Sequence, residues 1–368
     1  MRTCHRLVHI LSIPELRLVG TPYERGYQHG SALSGGIARL YSAWVRCGAR
    51  QARPIGEAEL LEFARCHWAP ASAFAPHWID EVRGIADGAG LDVLQVFLLN
   101  CWDELCSWLS VRGGTTAVGC TSFAVRSPRT KRISIGQNQD AFGWWKPVVI
   151  LNERSTGGEI ATLCTAHPGV LGTTGLNERG VALVANSLIP EDRGFGAPFT
   201  FVMREALRQK SLEGAVQSVS DSDRSTGANY VLASTDGAFD LETSRSQVSL
   251  QSLEQVLTHS NHYMAGTMRA LDRGGELLPD TYRRAGRLEI LLASGDAADD
   301  PMAAVEALAD HQGWPTSICR HSIGQEDQME TLGAVVAVPD QLKLYVTDGS
   351  PCSRSVLSYS LSLEGDNC

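Results

Sequence analysis

The chain has 368 residues, 43% of them hydrophobic and 20% charged, with a formal net charge of −9. That length holds one large domain or two, and no apolar run reaches the roughly eighteen residues a membrane-spanning helix needs. The negative balance comes without an acidic block, and the arginines are scattered, which argues against nucleic acid or a membrane surface as partner.

Ten cysteines (Cys4, Cys47, Cys66, Cys101, Cys106, Cys120, Cys164, Cys319, Cys352 and Cys368) include no Cys-x-x-Cys pair. In a chain this long they read as reduced thiols rather than a disulfide framework. Met1 to Pro14 lacks the apolar core and small-residue cleavage site of a signal peptide, so the cytoplasm is the expected compartment.

Residues 16–20 form a candidate strand before the turn at Thr21-Pro22. A helix then opens at Tyr23 and runs through Ile37, Leu40, Tyr41, Trp44 and Val45, apolar at three- and four-residue steps. Pro54 starts a second helix, and a third runs from Pro76 to the glycines Gly88 and Gly90. Asp92 is a natural N-cap for a fourth, Val93 to Trp108. After Gly113-Gly114 the pattern changes to strands: Cys120 to Arg126 and Arg132 to Gln137 read as a hairpin, with Asp140 just past the returning strand. Further strands are expected at 148–154, 159–165, 171–176 and 181–186, then helices at 199–210 and 212–219. Strands at 229–234, 239–243 and 256–259 precede helices at 278–292 and 300–311 and two last strands at 333–338 and 343–347. Two blocks of strands around helical intervals predict an α+β fold: two sheets covered by helices, a four-layer αββα sandwich behind a helix-rich N-terminal segment.

The chemistry centres on Val118-Gly119-Cys120-Thr121-Ser122-Phe123, at the switch from helices to strands. A cysteine made N-terminal by cleavage carries nucleophile and base on one residue: its α-amino group, with a pKa of about 7.7–8.0, takes the thiol proton and returns it to a leaving amine. The same thiol, attacking the Gly119 carbonyl, explains the cut, and glycine leaves that peptide unhindered. Asp140, across the hairpin, is the candidate acceptor for the new amine.

Gly119-Cys120-Thr121-Ser122, Gly136-Gln137-Asn138-x-Asp140 and Thr258-His259-Ser260-Asn261-His262 together resemble the acyl-coenzyme A:6-aminopenicillanate acyltransferase family, the C45 peptidases. Pro22-Tyr23-Glu24-Arg25-Gly26-x-Gln28-His29-Gly30, Asn177-Glu178-x-Gly180-Val181-Ala182, Ser317-Ile318-Cys319-Arg320-His321 and Pro351-Cys352 extend the resemblance over almost the whole chain. It implies an N-terminal-nucleophile hydrolase made as a precursor: residues 1–119 as pro-region or α chain and 120–368 as catalytic core. It further implies Cys120 as nucleophile, Asp140 as the acid holding its amine, and Asn261 as an oxyanion donor. By the wider resemblance to choloylglycine hydrolases and penicillin V acylases, Asn186 is a second oxyanion position and Arg320 lies near the nucleophile. Those hydrolases have arginine where this chain has Gln137, so their substrate preferences do not transfer.

The expected activity is hydrolysis of a small non-peptide linear amide through an acyl-thioester on Cys120. Transfer to an amine acceptor in specialised metabolism is the alternative, and an uncleaved, idle binding relative is the non-enzyme reading. Thr121, Trp144 and Trp145 are candidate pocket residues. The expected partners are a small acyl or amide donor, an amine acceptor, and the chain's own 1–119 fragment. No cofactor or metal is expected: His259-x-x-His262 has no third ligand at recognisable spacing, and Cys319 and Cys352 read as core thiols. Tyr23, Glu24 and His29 read as residues that place the N-terminal helix.

Overall fold

The computed structural model describes residues 13–113, 118–146, 148–324, 328–353 and 355–361. The leader reading at Met1–Pro14, and Cys4 and Cys368, fall wholly or almost wholly outside them. Among the described residues no helix is long and apolar enough to cross a membrane.

Strand β1 (Glu15–Val19) leads into α1 (Pro22–Ala49), whose start is fixed by Pro22 in the first turn and by a reciprocal capping box between Thr21 and Glu24. Helix α2 spans Glu57–Phe74 and α3 spans Pro76–Ala89. Helices α1 and α3 touch backbone to backbone. A Cβ on Gly26 would lie 2.1 Å from the Glu81 carbonyl oxygen, one on Gly30 2.1 Å from that of Ile85, and one on Gly84 2.1 Å from that of Tyr23. Gly88, expected to end α3, instead belongs to this seam, and only Gly90, at φ 68°, is the left-handed cap.

The single helix expected from Val93 to Trp108 is two, α4 (Val93–Asn100) and α5 (Trp102–Val111). Asp92 caps α4 as expected, accepting from Leu94 N at 2.8 Å. The break follows from Asn100: Thr200 Oγ1 takes its carbonyl, and its side chain donates to Gly169 O at 2.9 Å and accepts from Leu171 N at 2.9 Å. Those bonds hold a later loop against the turn, so the local helical pattern loses to tertiary pairing.

The strands form two sheets. The smaller contains β2 (Val118–Arg126), β3 (Ile133–Phe142), β11 (Val256–His259), β12 (Met329–Val338), β13 (Lys343–Thr347) and β14 (Val356–Ser360), in the order β11-β2-β3-β12-β13-β14. The larger contains β1, β4 (Val149–Arg154), β5 (Thr162–Ala166), β6 (Gly175–Asn177), β7 (Ala182–Leu188), β8 (Gly227–Ala233), β9 (Ala238–Thr243) and β10 (Val248–Ser252), side by side in chain order. Alternation along each strand divides the core into layers. Ala124, Ile135, Val184, Val231 and Val335 pack between the sheets. Phe123, Val125 and Val336 face the other way, under α9 (Thr281–Leu292) and α10 (Pro301–Leu308). Leu183 and Tyr230 face α1 to α5 together with α6 (Phe199–Leu207) and α7 (Leu212–Ser220). The order is helix, sheet, sheet, helix, the four layers expected. (Helix α8, Gly274–Leu277, is a single turn before α9.)

Residues before and after Cys120 share one core: Ile37, Trp44 and Phe97 pack in the same cluster as Leu183, Phe201 and Tyr230. Strand β1 also pairs in parallel with β4 at the edge of the large sheet.

Candidate active site

Strands β2 and β3 bring the sequence-singled residues together. Their register sets Gly119 opposite Asp140 and Cys120 opposite Gln139. Asp140 therefore lies inside β3 rather than past its end, because β3 stays paired with β2 and with β12 as far as Phe142.

Cys120 is buried, and its backbone N–H donates to Asn261 Oδ1 at 3.0 Å. Asn261, just beyond β11, is itself held: its Nδ2 donates to Ser187 O at 3.1 Å, and its Oδ1 also accepts from Arg284 Nη2 at 2.9 Å. Arg284, on α9 and almost fully buried, donates to Cys120 O and to Thr121 Oγ1, both at 2.6 Å, and to Asp280 at 2.8 Å. Arg320 donates to the same Asp280 carboxylate, and its Nε is 3.8 Å from Asp140 Oδ2. Asp140 Oδ1 accepts from Thr331 Oγ1 at 2.7 Å.

Burial pushes the Cys120 thiol up to about 12, and the Asp140 carboxylate adds to the shift, while the Arg284 guanidinium and the Ser187 backbone N–H oppose it. Burial likewise raises the Asp140 carboxyl, opposed by Arg320, Arg284 and the Thr331 hydroxyl. In the uncut chain the thiol is thus protonated at neutral pH and its nitrogen is an amide, which cannot act as a base.

Asn186, on β7 of the large sheet, reaches β2 through Ser122, two residues beyond Cys120. Its Oδ1 accepts from Ser122 Oγ, and Asn229 Nδ2 lies 3.4 Å from it, while its own buried Nδ2 has no hydrogen-bond partner among the described residues. Gln137 Oε1 accepts from Ala185 N at 2.7 Å.

Beside Cys120 lies a narrow cavity of about 30 Å³, walled mainly by Trp102, Trp145, Phe199, Met203 and Leu332, with Gln137, Gln139 and Thr173 supplying polar groups. Trp145 belongs to this wall. Trp144 faces a separate surface hollow with Arg39 and Pro168, and Thr121 turns to Arg284.

The remaining singled residues have structural partners. His259 bonds Glu242 at 2.7 Å and the Ser260 carbonyl, and His262 bonds Thr281 Oγ1 at 2.9 Å. Tyr23 OH donates to Asp87 at 2.7 Å, and His29 Nε2 accepts from Gly169 N at 3.0 Å, so both place α1. Sequence reasoning missed Arg284 and Asp280. The signal was present: Arg284 lies on the buried stripe Thr281–Arg284–Ala285–Leu288–Leu292, where a cation is unexpected, four residues after Asp280.

Known proteins resemble most of this chain. The family model for acyl-coenzyme A:6-aminopenicillanic acid acyl-transferase matches residues 128–352. The 40 kDa form of the acyl-coenzyme A:6-aminopenicillanic-acid-acyltransferase of Emericella nidulans is 29% identical over 307 residues, 82% of this chain and 83% of that protein. Among solved structures, penicillin V acylase from Agrobacterium tumefaciens is 16% identical with a TM-score of 0.41, covering 62% of this chain and 83% of its own. A mutant of conjugated bile acid hydrolase from Clostridium perfringens is 11% identical with a TM-score of 0.44, covering 67% and 93%. The family match spans more than half of the residues, and the chain belongs to the acyl-coenzyme A:6-aminopenicillanic acid acyl-transferase family.

Proposed function

We propose that the chain cleaves itself between Gly119 and Cys120, and that the new N-terminal Cys120 passes acyl groups from small linear amides to water. The observation that carries this reading is the bond from Cys120 N to Asn261 Oδ1 beside an apolar cavity. An acceptor already holds the nitrogen that cleavage would turn into the catalytic base.

In processing, the Cys120 thiolate attacks the Gly119 carbonyl carbon, the C–N bond breaks, and the nitrogen takes up a proton as it leaves as the amine. Water then hydrolyses the thioester, giving a Gly119 carboxylate and a free Cys120. In turnover the amine accepts the thiol proton as sulfur attacks the substrate carbonyl, then delivers it to the departing amine; water repeats the attack on the acyl-thioester. Asp140 and Asn261 orient the amine. Arg284 fixes the Cys120 carbonyl and the Asn261 side chain, and Asn186, whose Nδ2 is unpartnered among the described residues, is available as a donor toward developing negative charge. The apolar walls suit a hydrocarbon acyl group. Residues 1–119 remain bound after the cut, since Trp102 forms part of those walls and the core is shared.

Intact-mass analysis tests the first step: pieces of 1–119 and 120–368 are expected from the wild type, and one chain from Cys120→Ala. Incubation with N-acyl amines, with and without an amine acceptor, tests the second, an acyl adduct being expected on the 120–368 piece at Cys120. A wild type that stays full length, or an adduct only at another cysteine, would overturn the proposal.

A further inference from the structure

The segment after α10 and the turn at Pro351–Ser353 bring together four metal-ligating side chains that the proposed chemistry does not use. His311 Nε2 lies 3.1 Å from His321 Nε2, and His321 Nε2 lies 3.3 Å from Cys319 Sγ and 3.5 Å from Cys352 Sγ. One donor atom from each of the four lies within 4.8 Å of the others. Zinc–nitrogen bonds of about 2.0–2.1 Å and zinc–sulfur bonds of about 2.3 Å place tetrahedral neighbours about 3.3–3.8 Å apart, so the cluster already has nearly the right dimensions. We infer that His311, Cys319, His321 and Cys352 form a Cys₂His₂ site for a tetrahedral divalent metal, zinc by its donor set.

The surroundings are those of a built site. The loop that carries three of the donors is closed on itself: Cys319 N donates to Asp310 O at 3.0 Å, Trp314 N to His311 O at 3.1 Å, and His321 N to Pro315 O at 3.3 Å. Asp310 is anchored to Arg287 on α9 at 2.7 Å. Trp314 stacks on His321 with ring centroids 4.9 Å apart and covers one side. Cys319 is buried, while His311 is exposed and opens onto a surface hollow with Asp310, Pro351 and Cys352, which gives an ion access. Without a metal, two thiols and two imidazoles crowd together with no opposite charge among them.

Four protein ligands leave no open position, so the site is structural rather than catalytic. Its place gives it a role. Arg320 stands between two ligands, Cys319 and His321, and reaches Asp280 and Asp140. A metal that ties this loop to the turn at Pro351–Ser353 fixes the backbone of the residue facing Asp140.

The test reads metal rather than activity, so it stands apart from the proposed function. The full chain, purified without chelator and dialysed against zinc, is expected to hold one equivalent by elemental analysis. Cobalt substitution is expected to give the intense visible bands of a tetrahedral ion with a sulfur-to-cobalt charge-transfer band. His311→Ala and Cys352→Ser, verified as folded by circular dichroism, are expected to lose the equivalent and the charge-transfer intensity, whereas Cys66→Ser keeps both. A metal-free wild type after zinc loading, unchanged metal content in both folded variants, or a Cys319–Cys352 disulfide in the mass of the reduced-buffer preparation would overturn the inference.

Discussion

Asn261 Oδ1 accepts from the backbone nitrogen of Cys120 at 3.0 Å while the same oxygen accepts from Arg284, so the nitrogen that the proposed cut would free is already held in the intact chain. Asn261→Ala removes the acceptor for that nitrogen and the donor to Ser187 O together. Asn261→Asp keeps an acceptor but loses the donor and adds a negative charge near Asp140. The alanine variant is expected to lower turnover of the processed enzyme by about 10²–10³-fold, the scale for a lost oxyanion or orienting amide. Intact mass and initial rates, measured on the same samples, separate a processing defect from a turnover defect.

Under the proposed self-cleavage, the Cys120 thiol of the intact chain, pushed up to about 12 mainly by burial and then by Asp140, would set the pH dependence of processing. Only the thiolate attacks, and far below its pKa the thiolate fraction rises about tenfold per pH unit. Processing is therefore expected to speed up continuously from neutral to alkaline pH. The mature enzyme answers to its α-amino group, and its rate is expected to level off near about 7.7–8.0. Timed mass spectra of freshly refolded chain and rate profiles of cleaved enzyme give the two curves. Identical profiles would contradict the amide-to-amine switch.

Arg284 links Cys120 O, Thr121, Asn261 and Asp280 from inside the core. Lysine supplies one compact ammonium where the guanidinium spans four partners. Arg284→Lys is expected to remain folded but uncut, and Arg284→Ala to lose about 2–4 kcal/mol of stability, because the buried Cys120 carbonyl, Thr121 and Asn261 each lose a charged donor while Asp280 keeps Arg320. Denaturant titration with intact mass distinguishes the two. A lysine variant that processes at the wild-type rate would show that the charge suffices.

What was legible in the sequence follows from what each residue answers to. The pairing of the strands that carry Cys120 and Asp140 was readable because a hairpin is a local structure, and β4, β5, β7, β8 and β9 because they alternate or run apolar over their length, whereas the strand expected at 171–176 is only Gly175–Asn177. Asn261 came from a short motif whose neighbours, His259 and Thr258, serve the strand that carries it. The break at Asn100 was invisible, since its partners Gly169, Leu171 and Thr200 lie far along the chain. Edge strands β10 and β14 were missed although Val248-Ser249-Leu250-Gln251 and Leu357-Ser358-Tyr359-Ser360 alternate, because each is only five residues long and none of their residues is fully buried. Arg284 was hidden in Arg283-Arg284-x-x-Arg287, which reads as a solvated helix face until β2 and β11 are laid beneath it. The Cys319–Cys352 grouping depends on two segments thirty residues apart meeting through β12 and β13, and no spacing rule announces it.

Glu104, on α5, bonds Phe199 and Ser225 far along the chain and carries a separate pH signature. Its Oε1 accepts from Phe199 N and Ser225 Oγ, both at 2.7 Å, and its buried Oε2 has no partner among the described residues. Burial raises its carboxyl from 4.5 to about 7, with those two hydrogen bonds pulling the other way. Between these values the folded chain holds a proton that the unfolded chain has released. Stability from this group is thus full below about 4.5 and is lost as pH rises toward 7. Glu104→Gln keeps the Oε1 acceptor and cannot ionise, so it is expected to gain stability relative to the wild type across that window and hold a constant difference above it. Urea titrations of both proteins, made uncleavable by Cys120→Ala, read the difference directly. Parallel stability curves would mean that Glu104 titrates alike in the folded and unfolded chains, and that the buried carboxylate is solvated despite its position.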